Sequence, residues 1–260
     1  MPLSTLLLPE FDLEIETTRK VIERVPDDRI EWRPHEKSFP MGHLAQLVAM
    51  IPGWTRQILT ERELDIAPRE GPTAVYRFLP VDQLLKLFDH SVAEARPLIE
   101  KVTDAELEVP WTLKAAGHEV STQSRYMVYR QLMLNHLVHH RAQLGIYLRL
   151  TEQKVPQIYG PTAVYRFLPV DQLLKLFDHS VNEARPLIEK VTDDELQVAW
   201  TLKAAGHDVS TQSRYMVYRT LMLNHLVHHR AQLGIYLRLT EQKVPQIYGP
   251  TADEKGPQAK

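Results

Sequence analysis

Cysteine is absent from the 260-residue sequence. That excludes disulfides, thiolate metal sites, iron–sulfur clusters and a cysteine nucleophile. A charge surplus is absent too: 31 basic residues stand against 33 acidic ones, for a formal charge of −2. Binding nucleic acid by counterion release needs a basic excess, so no nucleic-acid partner is expected. No apolar run approaches the roughly 20 residues of a membrane helix, so no membrane partner is expected either. The opening Met1-Pro-Leu-Ser-Thr-Leu-Leu-Leu-Pro9 has no basic stretch before its short apolar one. A secretory signal would have one, so the expected location is cytoplasmic. Glycine is scarce, with 10 against 18 prolines, which in a chain of long helical patterns favours sharp helix ends over disorder. The sequence also lacks a Gly-rich phosphate loop, a serine nucleophile elbow and a basic stripe interleaved with aromatics.

Repetition is what the sequence does contain. Gly71-Pro-Thr-Ala74 recurs as Gly160-Pro-Thr-Ala163 and as Gly249-Pro-Thr-Ala252. Residues 71–159 are repeated at 160–248 with six differences: Ala93/Asn182, Ala105/Asp194, Glu108/Gln197, Pro110/Ala199, Glu119/Asp208 and Gln131/Thr220. None of the six is a large apolar residue, so both copies carry the same core-facing pattern. Residues 1–70 occur once. The expected organisation is a domain over 1–159, a near-identical repeat of 71–163 over 160–252, and a polar tail over 253–260.

Apolar residues at helical spacing predict four helices before the second copy. The first, near 9–25, carries Phe11, Ile15, Thr18, Ile22 and Val25. The second, near 40–61, carries His43, Leu47, Met50, Ile51, Trp54 and Ile58, with Pro52-Gly53 as a kink. The third, near 80–102, carries Leu84, Leu87, Phe88, Ser91, Ala95, Leu98 and Val102. The fourth, near 123–151, carries Tyr126, Tyr129, Met133, His136, Leu137, His140, Leu144 and Tyr147. A short hairpin centred on Gly117 is expected between the last two. The second copy repeats helices three and four near 169–191 and 212–240. The fold class is therefore all-α, a four-helix bundle followed by a duplicated two-helix hairpin.

Histidine placement carries the chemistry. His136 and His140 are four apart and project from one helical face, the apolar one. His43 heads the apolar stripe of the second helix. Packed helices could bring the three imidazoles together, and three neutral nitrogens with an open fourth position suit a divalent metal. Spacing alone also admits a second reading, a chance four-residue spacing of satisfied core or boundary histidines. Leu137 follows the first His, so the general-base Glu of the zincin motif is missing. His139 points about 100° away from His140 round the helix and reads as a supporting or surface residue. Gln143, Asn135 and Arg141 are candidates to orient a ligand, with solvent-facing positions the alternative for Gln143 and Arg141. His35, His90 and His118 sit in polar contexts, and Tyr126, Tyr129 and Tyr147 read as core. No catalytic residue is assigned.

Several stretches together resemble the DinB family of DinB/YfiT-like four-helix proteins. They are Arg33-Pro-His-Glu-Lys-Ser38, Gly42-His43-Leu-Ala, Leu134-Asn-His-Leu-Val-His-His-Arg-Ala-Gln-Leu144, Tyr147-Leu-Arg149 and Val155-Pro-Gln-Ile-Tyr-Gly-Pro161. The resemblance covers residues 1–163. It implies a DinB-like bundle, a divalent transition metal (Zn, Ni or Fe) held by His43, His136 and His140, and a homodimer. It also implies metal-dependent transfer of a small-molecule thiol, or attack of water, on an electrophilic substrate. The alternative is a non-catalytic metal-binding or assembly protein in which the duplicated hairpin drives oligomerisation.

The second copy departs from the family pattern. His225, His228 and His229 copy His136, His139 and His140, but no second His43 exists, leaving His225 and His229 as a weaker pair. Either copy could cover residues 1–70. Using the first needs a connection of about 18 residues and using the second about 107, a loop-closure preference of about 1.6 kcal/mol for the first.

Overall fold

The computed structural model describes residues 2–67, 76–159, 168–204, 206–249 and 251–253. The Gly71–Ala74 and Gly160–Ala163 marks, and 254–260 of the polar tail, lie outside the described residues. The protein is mainly helical, with two small sheets. It forms two compact units, one of residues 157–223 and one of residues 2–156 with 224–260.

The larger unit is built on α1 (Ser4–Ile22), α2 (Met41–Met50), α3 (Trp54–Thr60), α4 (Val81–Lys101) and α7 (His136–Leu150). Helix α1 begins five residues before the expected start and carries Pro9 inside it. The reason is a distant cap: the Leu3 and Ser4 N–H groups donate to the Asp104 carboxylate at 2.9 and 2.8 Å, satisfying donors that a helix start leaves open. The predicted kink is a 3-10 turn, Ile51–Gly53, that divides α2 from α3. Short α5 (Asp104–Glu108) opens with a capping box between Thr103 and Glu106.

Helices α1, α2, α4 and α7 pack as a bundle around Leu7, Phe11, Leu44, Val48, Leu84, Phe88, Leu137 and Leu144, all essentially removed from water. The expected hairpin is present as β2 (Pro110–Ala115) and β3 (His118–Ser124), antiparallel, with Gly117 at φ +82°. That positive φ favours glycine at the turn. A strand not anticipated from the sequence, β1 (Glu63–Asp65), pairs parallel to β2. From β3 the chain runs through α6 (Arg125–Val128) and a π-helical segment, Tyr129–Asn135, into α7. The last helix of the chain, α11 (His225–Leu239), also belongs to this unit and packs along α7.

The smaller unit holds α8 (Val170–Lys190), α9 (Asp193–Gln197), the hairpin β4 (Ala199–Ala204) and β5 (His207–Ser213), and α10 (Arg214–Val217). A π-helical segment, Tyr218–Asn224, comes next. The local signals of the first copy are reproduced: Thr192 and Glu195 form the same capping box, and Gly206 takes φ +83°. Helix α8 nevertheless buries nothing; apart from half-buried Ala184, every residue along it is exposed. Among the described residues no helix is long and apolar enough to cross a membrane.

Candidate metal centre

Helix α7 sets the centre. The π-helical turn of Tyr129–Asn135 ends where the histidines begin, a distortion that recurs at functional sites. His136 and His140 then stand one α-turn apart with their Nε2 atoms 2.8 Å from each other. His140 Nδ1 lies 2.8 Å from Gln143 Oε1. An amide oxygen only accepts, so Nδ1 carries the proton and Nε2 offers a lone pair. Two facing lone pairs at that distance repel. A proton on His136 Nε2, or a cation between the rings, relieves them. His136 Nδ1 is buried without a well-formed hydrogen bond.

The surroundings keep these rings uncharged. Burial holds His136 well below the ordinary imidazole range, reinforced by His140 and His139. Burial lowers His140 to about 4, with the Gln143 hydrogen bond acting in the opposite direction. Burial likewise takes His139 to about 3, helped by His140 and the Arg230 guanidinium. Neutral imidazole is the form that ligates metals, so the pair is poised for that role at neutral pH.

His43 is held differently. The α2 start tucks under Ile30 and Phe78: Gly42 N–H donates to the Ile30 carbonyl at 2.8 Å, and a Cβ on Gly42 would stand 2.8 Å from Phe78 Cδ1. The His43 ring is sandwiched between Phe39 and Tyr76, with centroids at 4.3 and 3.4 Å. Its charge bears on His140. The structure thus brings His136 and His140 together, and holds His43 on α2, which packs against α7. Among the described residues no three His, Asp or Glu side chains form a group at metal-ligand spacing.

The pair opens on a cavity of about 390 Å³. One side is Phe39, Leu47, Gln143 and Tyr147 with the histidines; the other is Ile235, Arg238, Val244, Ile247 and Tyr248. Tyr147 is core, as expected, and Tyr129 is wholly buried. His139 is buried against the Tyr248 ring at 5.2 Å. In α11, His225 and His229 repeat the arrangement, with Nε2 atoms 2.9 Å apart and His229 Nδ1 2.9 Å from Gln232, but His229 is exposed.

The sequence reading missed a buried polar cluster under the centre. Glu10 takes two hydrogen bonds from Arg130, at 2.6 and 2.8 Å, and Glu14 pairs with Arg141 at 2.6 Å. Asn224, at the head of α11, donates to both carboxylates at 3.0 and 2.8 Å. The available signal was two acids four apart on the apolar-striped α1 and two arginines, Arg130 and Arg141, that fall within the fourth predicted helix.

Comparison with known proteins decides the family. The DinB family profile matches residues 1–166, well over half of the 260-residue chain. The chain belongs to the DinB family. A crystal structure of a DinB-like protein from Bacillus cereus is similar at 18% identity, with a TM-score of 0.46 over 58% of this chain and 95% of that one. No curated protein matches this member of the DinB family.

Proposed function

We propose that this DinB-family chain binds a divalent transition metal (Zn, Ni or Fe) through His136, His140 and His43, and uses it to activate a small-molecule thiol or water against an electrophilic substrate. The observation that carries this reading is the convergence of the His136 and His140 Nε2 atoms at 2.8 Å beside a cavity. When bound, such an ion lowers the pKa of a coordinated thiol or water. The residues have separable tasks. Gln143 fixes the His140 tautomer, Phe39 and Tyr76 hold the His43 ring, and the apolar wall limits water around the reacting groups. With no cysteine in the chain, a sulfur nucleophile has to arrive from outside.

Titration calorimetry with Zn²⁺ and Ni²⁺ tests the metal. Binding of about one ion per chain, lost in His140→Ala and weakened in His43→Ala, supports the reading. Absence of binding to the intact chain overturns it. His225 and His229 would add a second, weaker event that His225→Ala removes. Turnover of an electrophile with a panel of low-molecular-weight thiols then tests the chemistry.

An assembly role is the second reading, favoured by one observation. Leu173, Phe177 and Ile188 of α8 are 47, 54 and 44% exposed, an apolar stripe that exceeds what single scattered surface residues explain. A second copy of the chain would cover it in a homodimer. Light scattering on the intact chain and on Phe177→Asp tests this, and a monomeric intact chain rules it out.

A further inference from the structure

The helix sequence His136–Leu150 recurs letter for letter as His225–Leu239, and the two helices lie side by side. In α11 the buried residues are Val227, His228, Ala231, Ile235 and Arg238, one stripe of the helix. Four of these, Val227, His228, Ala231 and Ile235, are the repeat counterparts of Val138, His139, Ala142 and Ile146, which are buried in α7.

The chain beyond α11 reaches the imidazole pair. Tyr248 stacks on His136 with ring centroids 5.2 Å apart and an interplanar angle of 27°, and meets His139 edge-on at 5.2 Å. Arg230 Nη2 donates to Tyr248 Oη at 2.8 Å. This segment is latched by Asp253, whose carboxylate accepts from Val244 N–H at 3.1 Å, from Lys37 at 3.2 Å and from Arg238.

We propose that the second copy completes the site of the first: Tyr248, on the latched segment that follows α11, is a site residue that walls the His136/His140 cavity and limits what reaches it. This deepens the proposed function by assigning a residue and an origin to the far wall of that pocket. It requires the imidazole cluster to be shielded by the second copy, whether or not a metal is present.

The test uses the full-length chain treated with chelator, and diethyl pyrocarbonate, which acylates neutral imidazoles that it can reach. One of the six differences between the copies makes the readout possible. Trypsin releases Gln131–Arg141 from the first copy and Thr220–Arg230 from the second, identical except at Gln131/Thr220, so mass spectrometry tracks each set of histidines separately. In the unaltered chain the second-copy peptide reacts faster. Tyr248→Ala should accelerate the first-copy peptide by roughly threefold or more, with the second-copy rate unchanged. Tyr248→Phe should keep the original rate, because the ring does the shielding. Asp253→Ala, which frees the latch without touching the pocket, should act in the same direction as Tyr248→Ala. Equal rates in the intact chain and in Tyr248→Ala, with both folded by circular dichroism, overturn the proposal. A chain that binds no Zn²⁺ or Ni²⁺ but shows the Tyr248 effect would defeat the metal reading alone.

Discussion

Helices α7 and α11 have one sequence and two fates. In α7, Leu137 and Leu144 are fully buried, whereas their counterparts in α11, Leu226 and Leu233, are 48 and 57% exposed. Helices α4 and α8 repeat the contrast: Leu84 and Phe88 are wholly buried, Leu173 and Phe177 about half exposed. The capping boxes and glycine turns are nevertheless the same in both copies. Local sequence is enough to specify caps and turns, while burial depends on whether a neighbour is present. Residues 4–60 supply that neighbour once, and the first copy packs on it. In α11 the buried face is the one that meets α7.

The sharpest way to break this comparison is to make the same substitution twice. Phe88→Ala should destabilise the bundle by about 3–5 kcal/mol, the cost of emptying a filled aromatic site. Phe177→Ala should change the same unfolding midpoint by less than about 0.5 kcal/mol, as for a surface position. Urea denaturation monitored by circular dichroism reads both, and equal losses would mean that α8 is as well covered as α4.

The arginines give a second same-letter pair. Arg141 is wholly buried against Glu14, while its counterpart Arg230 is exposed and holds Tyr248. Arg141→Ala strands a buried carboxylate and should cost about 3–5 kcal/mol. Arg230→Ala should cost less than about 1 kcal/mol. If the two variants unfold at the same denaturant concentration, the ionic cluster beneath the centre is not what sets them apart.

Much of this contrast was hidden in the sequence, and for identifiable reasons. The four helices and the hairpin could be read from apolar spacing and Gly117, and the kink from Pro52-Gly53. Helix α1 began earlier than its pattern because its cap, Asp104, lies 100 residues away. The burial of Glu10 and Glu14 is not legible in the sequence, because their partners, Arg130 and Arg141, lie more than 100 residues away. At the centre, the four-residue spacing of His136 and His140 gave their proximity, and Gln143 was legible as an orienting residue. Tyr248 was not, because its position depends on how α11 packs against α7, and no local periodicity encodes that.

Protons offer a third comparison, between the shielded rings of α7 and the same rings in an unfolded chain. Burial lowers His140 to about 4 and His139 to about 3, below the unfolded value near 6.5. Between those values the unfolded state binds more protons than the folded one, so stability rises with pH through that window and is lost as pH falls from about 6.5 toward 4. Each such ring contributes a slope of about 1.4 kcal/mol per pH unit. Unfolding measured in chelator from pH 4.5 to 7.5 should show this slope, and His139→Phe should flatten it. A flat profile in the unaltered chain would mean that the rings are open to water.

The smallest expected effect is the most specific to the duplication. Asn135 and Asn224 occupy equivalent positions, yet only Asn224 donates to Glu10 and Glu14, at 3.0 and 2.8 Å, whereas Asn135 Oδ1 is buried with no partner. Hydrogen bonds to charged groups are worth about 1.5–3 kcal/mol, so Asn224→Ala should cost about 2 kcal/mol. Asn135→Ala removes no such bond and should cost well under half of that. The asymmetry would show that the head of α11 is wired into the carboxylate pair of α1 rather than resting against α7. If both alanine variants lose the same stability, Asn224 is an ordinary helix residue and its bonds to Glu10 and Glu14 add nothing to the hold on α11.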